Sequence, residues 1–181
     1  MLVRQNIQGT RLTSLRITRI FLLVLFVISL VTGCNYKFSQ TTIPPEIKTV
    51  RVQYIENNAR YKNPTLSPQL TDKLRQKIVS QTKLTQVNSE NADYDISGAI
   101  TQYDVSTSGI SNQQVSTNRL TVAVSLILLD RKTGEEPRNI SASRSFDFSA
   151  SLTLDQAQRQ LNDEIIRNLT DEIFNQLFSN W

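Results

Sequence analysis

The stretch Arg119-Leu-Thr-Val-Ala-Val-Ser-Leu-Ile-Leu-Leu-Asp130 alternates more strictly than any other part of this 181-residue chain. Every second position is a large aliphatic residue, and the positions between them are mostly small, namely Thr121, Ala123 and Ser125. A period of two predicts a strand with one buried face. We therefore predict a strand over residues 119–130 and place it at the centre of a sheet.

The residues that follow predict a second strand and a long helix. A charged turn at 131–137 leads into an alternating segment at 139–149, which we expect to pair antiparallel with 119–130. Thr153 and Gln156 form a capping-box pattern, the usual start of a helix. The apolar stripe of that helix consists of Leu154, Ala157, Leu161, Ile165, Leu169, Ile173 and Leu177. The aromatic residues Phe174, Phe178 and Trp181 either pack on the core or contact a partner or membrane.

The residues that precede the central strand predict two more strands and a helix. We expect strands at 47–56, with Val50, Val52 and Tyr54 on its apolar face, and at 94–107. Residues 84–87 form a short strand or its lead-in. Between them, Ser67-Pro68 is a typical N-cap followed by proline, which predicts a helix over 68–83. The Ser/Asn/Gln-rich segment 108–118 is predicted to be the loop of a long hairpin.

The resulting order is β-α-β-β-β-α. It predicts an α+β, two-layer sandwich in which two helices cover one face of a mixed four-stranded sheet. The whole arrangement fits a single domain over residues 46–181.

Residues 1–33 resemble a lipoprotein signal peptide. Four arginines precede an uncharged run of eleven residues, Ile20–Leu30, which is too short to span a bilayer. Val31-Thr32-Gly33-Cys34 is similar to a bacterial lipobox, which implies cleavage after Gly33 and a covalent diacylglyceryl and N-acyl lipid on Cys34. Residues 34–45 would be the lipidated tether. The absence of Asp directly after Cys34 favours the periplasmic side of the outer membrane.

Composition excludes several function classes. The chain has 20 basic and 16 acidic residues, and four of the basic ones are the arginines of the signal. The remaining residues carry no net charge, so the basic pI gives no support for nucleic-acid binding. The chain has no histidine and one cysteine, which excludes histidine-based catalytic triads and the common zinc sites. The acidic pairs are adjacent in sequence and indicate solvated surface. We expect no enzyme activity, no metal and no cofactor apart from the lipid.

Polar segments at 56–65, 107–118 and 131–138 are candidate binding loops. Basic residues on or near them could contact the anionic phosphates of a lipid or glycan, or could only solubilise the surface. The candidate anionic-lipid contacts are Arg60, Lys62, Arg119, Arg131 and Lys132.

Several motifs together resemble the lipopolysaccharide-assembly lipoprotein family, LptE, in its shorter Bacteroidetes-like form. They are Cys34-x-Tyr-x-Phe38, Ile47–Val52, Leu70–Leu74 and Ala92–Ile100. The resemblance implies a non-enzymatic protein that binds or plugs a large outer-membrane β-barrel translocon. It would assist lipopolysaccharide transport to the cell surface.

The alternative is another non-enzymatic envelope lipoprotein, such as a regulator of a cell-wall synthase. Such a regulator must reach across the periplasm on a long tether. Here about ten residues separate Cys34 from the first predicted strand, and at roughly 3.3–3.6 Å each they span at most about 40 Å. The short tether favours a partner at the membrane.

Overall fold

The computed structural model describes residues 43–111 and 114–179. The predicted signal peptide, Gly33, Cys34 and Trp181 therefore lie outside the described residues. The elements in chain order are β1 (Thr49–Val52), β2 (Glu56–Asn57), α1 (Leu66–Gln81), β3 (Thr85–Gln86), β4 (Tyr94–Ser111), β5 (Gln114–Asp130), β6 (Arg138–Ser149) and α2 (Leu154–Phe178).

The sheet is mixed, which confirms the predicted fold class. Its order is β3-β1-β4-β5-β6, with β2 paired to β4 off this path. β1 pairs in parallel with β3 and β4, whereas β4, β5 and β6 form an antiparallel meander. The predicted count of four strands is wrong, because the described residues form six. The segment predicted as one strand at 47–56 is divided into β1 and β2, and Thr85–Gln86 adds a further strand.

The alternation at 119–130 buries one face of the strand, as predicted. Leu120, Val122, Val124, Leu126 and Leu128 are at most 3% exposed and belong to one core with both helices. The other side of β5 carries Ser125 and Ile127, which are exposed. The helices therefore cover one face of the sheet and leave the other open, as a two-layer sandwich requires.

The break between β1 and β2 changes which residues are buried. Tyr54, predicted on the apolar face, is 49% exposed, and the adjacent Ile55 is 1% exposed. The Ile55 amide donates to the hydroxyl of Thr71 on α1 at 3.1 Å instead of continuing the ladder. A strict period of two cannot persist through such an interruption.

Helix α1 begins earlier than its sequence suggested. Its N-cap is Thr65, without a side-chain capping bond, and the predicted cap Ser67 is buried within the first turn. The Asn63 side chain instead accepts from the Thr65 amide at 3.0 Å and from its hydroxyl at 2.8 Å. An Asx-type turn thus orders the chain before the helix.

The segment predicted as a long polar loop, 107–118, is mostly strand. β4 and β5 pair down to Ser111 and Gln114, with irregularities near Gly109. Ladder hydrogen bonds form between backbone groups, so this part of the hairpin needs no apolar face. Its polar composition therefore misled the sequence-based prediction.

The prediction for α2 is confirmed at its start. The Thr153 hydroxyl accepts from the Gln156 amide, and the Gln156 side chain accepts from the Thr153 amide at 2.9 Å. Phe174 and Phe178 are at most 5% exposed, and their rings meet at a tilt of 56° with centroids 5.2 Å apart, so both aromatic residues pack on the core.

Candidate functional site

The loop between β2 and α1 carries two of the predicted contact residues, Arg60 and Lys62. Its path is fixed at the start by the Asn58 amide, which donates to the Ile100 carbonyl of β4 at 2.9 Å. The Asn57 side chain then accepts from the Ala59 amide at 3.1 Å and donates to the Asn63 carbonyl at 3.4 Å. The two cations are consequently presented by a loop that is tied at both ends.

An aromatic pair holds the middle of this loop. Tyr61 stacks on Tyr103 of β4 with 5.6 Å between ring centroids. The Tyr103 hydroxyl accepts from the Asn63 amide group at 3.4 Å, and burial raises the pKa of Tyr103. Arg60 and Lys62, on either side of Tyr61, are exposed, and Tyr61 itself is 40% exposed.

No carboxylate among residues 43–111 and 114–179 lies within ion-pairing distance of Arg60 or Lys62. Beside them is an open polar groove of about 430 Å³. Its walls come from the loop, with Tyr61 and Thr65, and from the first turns of α2, with Asp155, Gln158 and Arg159. Two unneutralised cations beside a polar groove can donate charge-assisted hydrogen bonds to phosphate.

Arg131 and Lys132 lie at the opposite end of β4, beside two carboxylates. Asp95 is 5% exposed and accepts two bonds from Arg51, at 3.0 and 2.7 Å. Gln53 donates to it at 3.0 Å and Arg131 at 3.1 Å. Burial alone would raise the pKa of Asp95, but these donors outweigh it and lower the pKa to about 2.

Asp93 joins the start of β1 to the start of β4. One of its carboxylate oxygens accepts from the amides of Lys48 and Thr49 and from the Thr49 hydroxyl, each at 2.9 Å. These bonds, led by the one from the Lys48 amide, lower the pKa of Asp93. Lys132 lies 3.8 Å from its other oxygen. Arg131 and Lys132 therefore help to hold strands together.

Arg119 occupies a third location, on the open face of the sheet. Its guanidinium makes a two-pronged pair with Asp147 of β6, at 2.7 and 3.0 Å, which lowers the pKa of that carboxyl. The five predicted contact residues are thus divided among three places. Of these five, Arg60 and Lys62 are the ones without an acidic partner among the residues that the structure describes.

The interactions of Arg51 with Asp95 were not predicted. The two residues are 44 positions apart and meet only because β1 pairs in parallel with β4, where they are register partners. The sequence offered one indication: Arg51 alternates with Val50 and Val52 in a predicted strand and so lies on its opposite face.

Within the described ranges, no group of three or more acidic or cysteine residues is arranged to hold a metal ion. None of the helices described is both long and apolar enough to cross a bilayer.

The elements described above define an α+β, two-layer sandwich with one open face. The lipopolysaccharide-assembly family, LptE, matches this chain over residues 47–177. The chain belongs to that family, whose members are non-enzymatic envelope lipoproteins. A comparison with curated protein sequences finds no significant match.

Several solved structures resemble this chain at low sequence identity. Rare lipoprotein B from Shewanella oneidensis superposes with a TM-score of 0.50 at 14% identity, over 72% of this chain and 93% of that one. An uncharacterized lipoprotein B from Nitrosomonas europaea gives 0.48 at 16% identity, over 81% and 88%. PelC from Paraburkholderia phytofirmans gives 0.46 at 16% identity, over 80% and 95%. The Shewanella structure supports the two-layer fold.

Proposed function

We propose that this protein is an outer-membrane lipoprotein that assists lipopolysaccharide transport by binding or plugging a β-barrel translocon. In this proposal, lipid on Cys34 anchors it to the periplasmic side of the membrane. The observation that carries the proposal is the family match, which spans all eight elements of the described domain but for the last residue of α2.

The open face of the sheet supports a barrel partner. Its centre carries short, uncharged side chains, including Thr121, Ala123, Ser125, Ser143 and Ser145. The interior of outer-membrane barrels is polar. This uncharged patch, bordered by Asp104 and by the Arg119–Asp147 pair, can therefore approach such a wall with few ions to desolvate, and the burial of ions is costly.

The cationic loop supports a role with lipopolysaccharide. Arg60 and Lys62 lie beside Tyr103, whereas the described chain begins near Tyr94, at the other end of β4. Nine residues of strand separate the two ends by about 30 Å. The free cations thus lie far from the point where the tether enters, and they are available to an anionic ligand.

Purification of the full-length lipoprotein from gently solubilised outer membrane tests this function. We expect a large barrel protein to co-purify, and depletion of the lipoprotein to reduce surface lipopolysaccharide. Cys34→Ser is the matched variant, because it removes the predicted lipid and leaves the domain unchanged. We expect it to lose membrane attachment.

A lipoprotein that purifies alone, and whose depletion leaves surface lipopolysaccharide unchanged, would contradict the proposed function. Retention of Cys34→Ser in the membrane fraction, at the level of the unmodified protein, would contradict the lipid anchor.

A further inference from the structure

Strand β6 forms one edge of the sheet, and part of that edge is free. Among the described strands, β6 pairs only with β5, in an unbroken register from Arg138 to Ser149. At its beginning the edge is covered, because the Gln176 side chain of α2 donates to the Ser141 carbonyl at 3.0 Å. Beyond Ser141 the remaining outward backbone groups have no partner among the described residues.

The direction of these backbone groups follows from two contacts. The Ser141 carbonyl points away from β5, since it accepts from α2. The Ser125 carbonyl, on the β5 residue opposite Ser141, points towards Gly98 of β4. Because backbone groups alternate in direction along a strand, the N–H and C=O groups of Ser143, Ser145 and Asp147 also point outward. They form a row that an added strand could use.

Side chains beside this row leave room for a strand. Ser143 and Ser145 are small and lie on the open face of the sheet. On the helix side, Arg144 is drawn onto Glu172 of α2 and does not cover the edge. An inward-facing charge is a common protection of edge strands, but here an ion pair neutralises it.

A groove runs along the helix side of this edge and favours a cation. It encloses about 440 Å³ between β6 and α2, and is lined by Arg144, Phe146, Glu164, Asn168 and Asp171. Arg144 pairs with Glu172 and Asp171 with Lys77, whereas Glu164 has no cationic partner within the described part of the chain. A side chain entering the groove would therefore meet one uncompensated carboxylate, that of Glu164.

We propose that the free edge of β6, at residues 143–147, binds an extended segment of the barrel partner by strand addition. The segment has small side chains on the open-face side and a Lys or Arg that reaches Glu164 on the helix side. Backbone hydrogen bonds supply the attachment, and the groove supplies the selectivity. This inference rests on the proposed function, because it names the contact made with that partner.

A second copy of this chain fits the edge less well. Antiparallel pairing of two β6 strands about Arg144 places two arginines directly opposite each other, which is unfavourable. Pairing about Ser145 avoids that contact but places both α2 helices, each with a Glu164 that has no cationic partner in the described chain, on the same face of the joined sheet.

Ser145→Pro in the full-length lipoprotein tests the edge. Proline at 145 removes an outward N–H and leaves the bonds to β5 intact, a position where edge strands tolerate it. Ser145→Ala is the matched control, because it keeps the N–H. We expect the proline variant to recover the barrel protein with roughly five-fold lower yield, the effect of one backbone hydrogen bond, and the alanine variant to recover it normally.

A photo-crosslinker provides a readout that does not depend on tolerance of proline. Placed at Ser145 in cells, it should yield an adduct with the barrel protein, whereas the same group at the exposed Gln76 of α1 should not. Glu164→Lys should reduce that adduct, because it places a cation where the partner's cation would bind.

The outcomes separate this inference from the proposed function. If the barrel co-purifies equally with Ser145→Pro and Ser145→Ala, and no adduct forms at Ser145, strand addition is refuted while the function stands. If no barrel co-purifies with unmodified protein, the function fails and the inference with it. A dimer that Ser145→Pro converts to monomer would show that a second copy occupies the edge, and would overturn the assignment of the partner.

Discussion

Replacement of Asp95 by Asn tests the energetic role of the buried carboxylate. Asn has the shape of a protonated Asp and keeps one acceptor, so the substitution removes mainly the negative charge. In the folded protein the pKa of Asp95 is lowered to about 2. Compared with an ordinary value of about 3.9, and at about 1.36 kcal/mol per pKa unit, this corresponds to about 2.6 kcal/mol of stability at neutral pH.

The pH dependence has a definite sign. A carboxylate whose pKa is lowered on folding contributes stability that is fully present above its unfolded pKa and is lost as the pH falls through its folded pKa. For Asp95 the contribution is therefore complete above about pH 5, roughly half remains at pH 3, and it disappears below about pH 2. Asp95→Asn should approach the unmodified protein in stability over that range.

Urea unfolding of the lipid-free mature chain at pH 7, 5 and 3 measures the difference. Asp147→Asn is the control, because it breaks the two-pronged pair with Arg119, in which both side chains are nearly half exposed. Such a surface pair contributes at most about 1 kcal/mol. Equal losses for the two variants at pH 7, or a loss for Asp95→Asn that does not shrink by pH 3, would refute the reasoning.

Three further predictions concern other parts of the chain. Gly98→Ala should lower the free energy of unfolding by more than about 2 kcal/mol, seen as a lower melting temperature, because Gly98 has φ of 152° and an added Cβ would overlap the Ser125 carbonyl. Thr153→Ala should cost about 1 kcal/mol through loss of the capping box, and Thr153→Ser should not. The double variant Arg60→Gln, Lys62→Gln should bind lipopolysaccharide more weakly, and its binding should depend less on salt concentration, whereas Arg119→Gln should change neither. Unchanged binding by the double variant would remove the loop from the site.

The features that sequence predicted well are those governed by local periodicity. The alternation from Leu120 to Leu128 predicted the buried face of β5 and its position from residue 119 onward, because this part of the strand lies in the core that both helices share. Thr153 and Gln156 gave the start of α2, because a capping box involves only neighbouring residues. The same logic failed at Ser67, which was predicted as the cap before Pro68. The helix begins two residues earlier, after the turn that Asn63 makes with Thr65.

The features that sequence could not provide depend on contacts between distant residues. β2 has two residues, and only its pairing with Ala99 and Ile100 identifies it as a strand. The partners of Arg131 were likewise hidden, since Asp95 is 36 positions away and meets it through the antiparallel pairing of β4 with β5. A basic residue in a polar segment looks equally available whether or not the fold supplies it with a carboxylate.

Whether a cation has a carboxylate partner decides whether it is available to an anionic ligand or membrane. Basic clusters next to a lipid anchor often strengthen membrane attachment, which would require the cations near the tether. Arg131 and Lys132 do lie at the end of β4 where the described chain begins, but Asp95 and Asp93 compensate their charge. Arg60 and Lys62 have no such partner in the described residues and lie at the far end, about 30 Å along the strand. Lys48 and Lys83 also lack an acidic partner in the described residues, but they lie beside Pro44 and Pro45, where they suit attachment to the anchoring leaflet. Arg60 and Lys62 are too far from that end to serve the same purpose, which is why we propose that they meet a phosphate-bearing ligand.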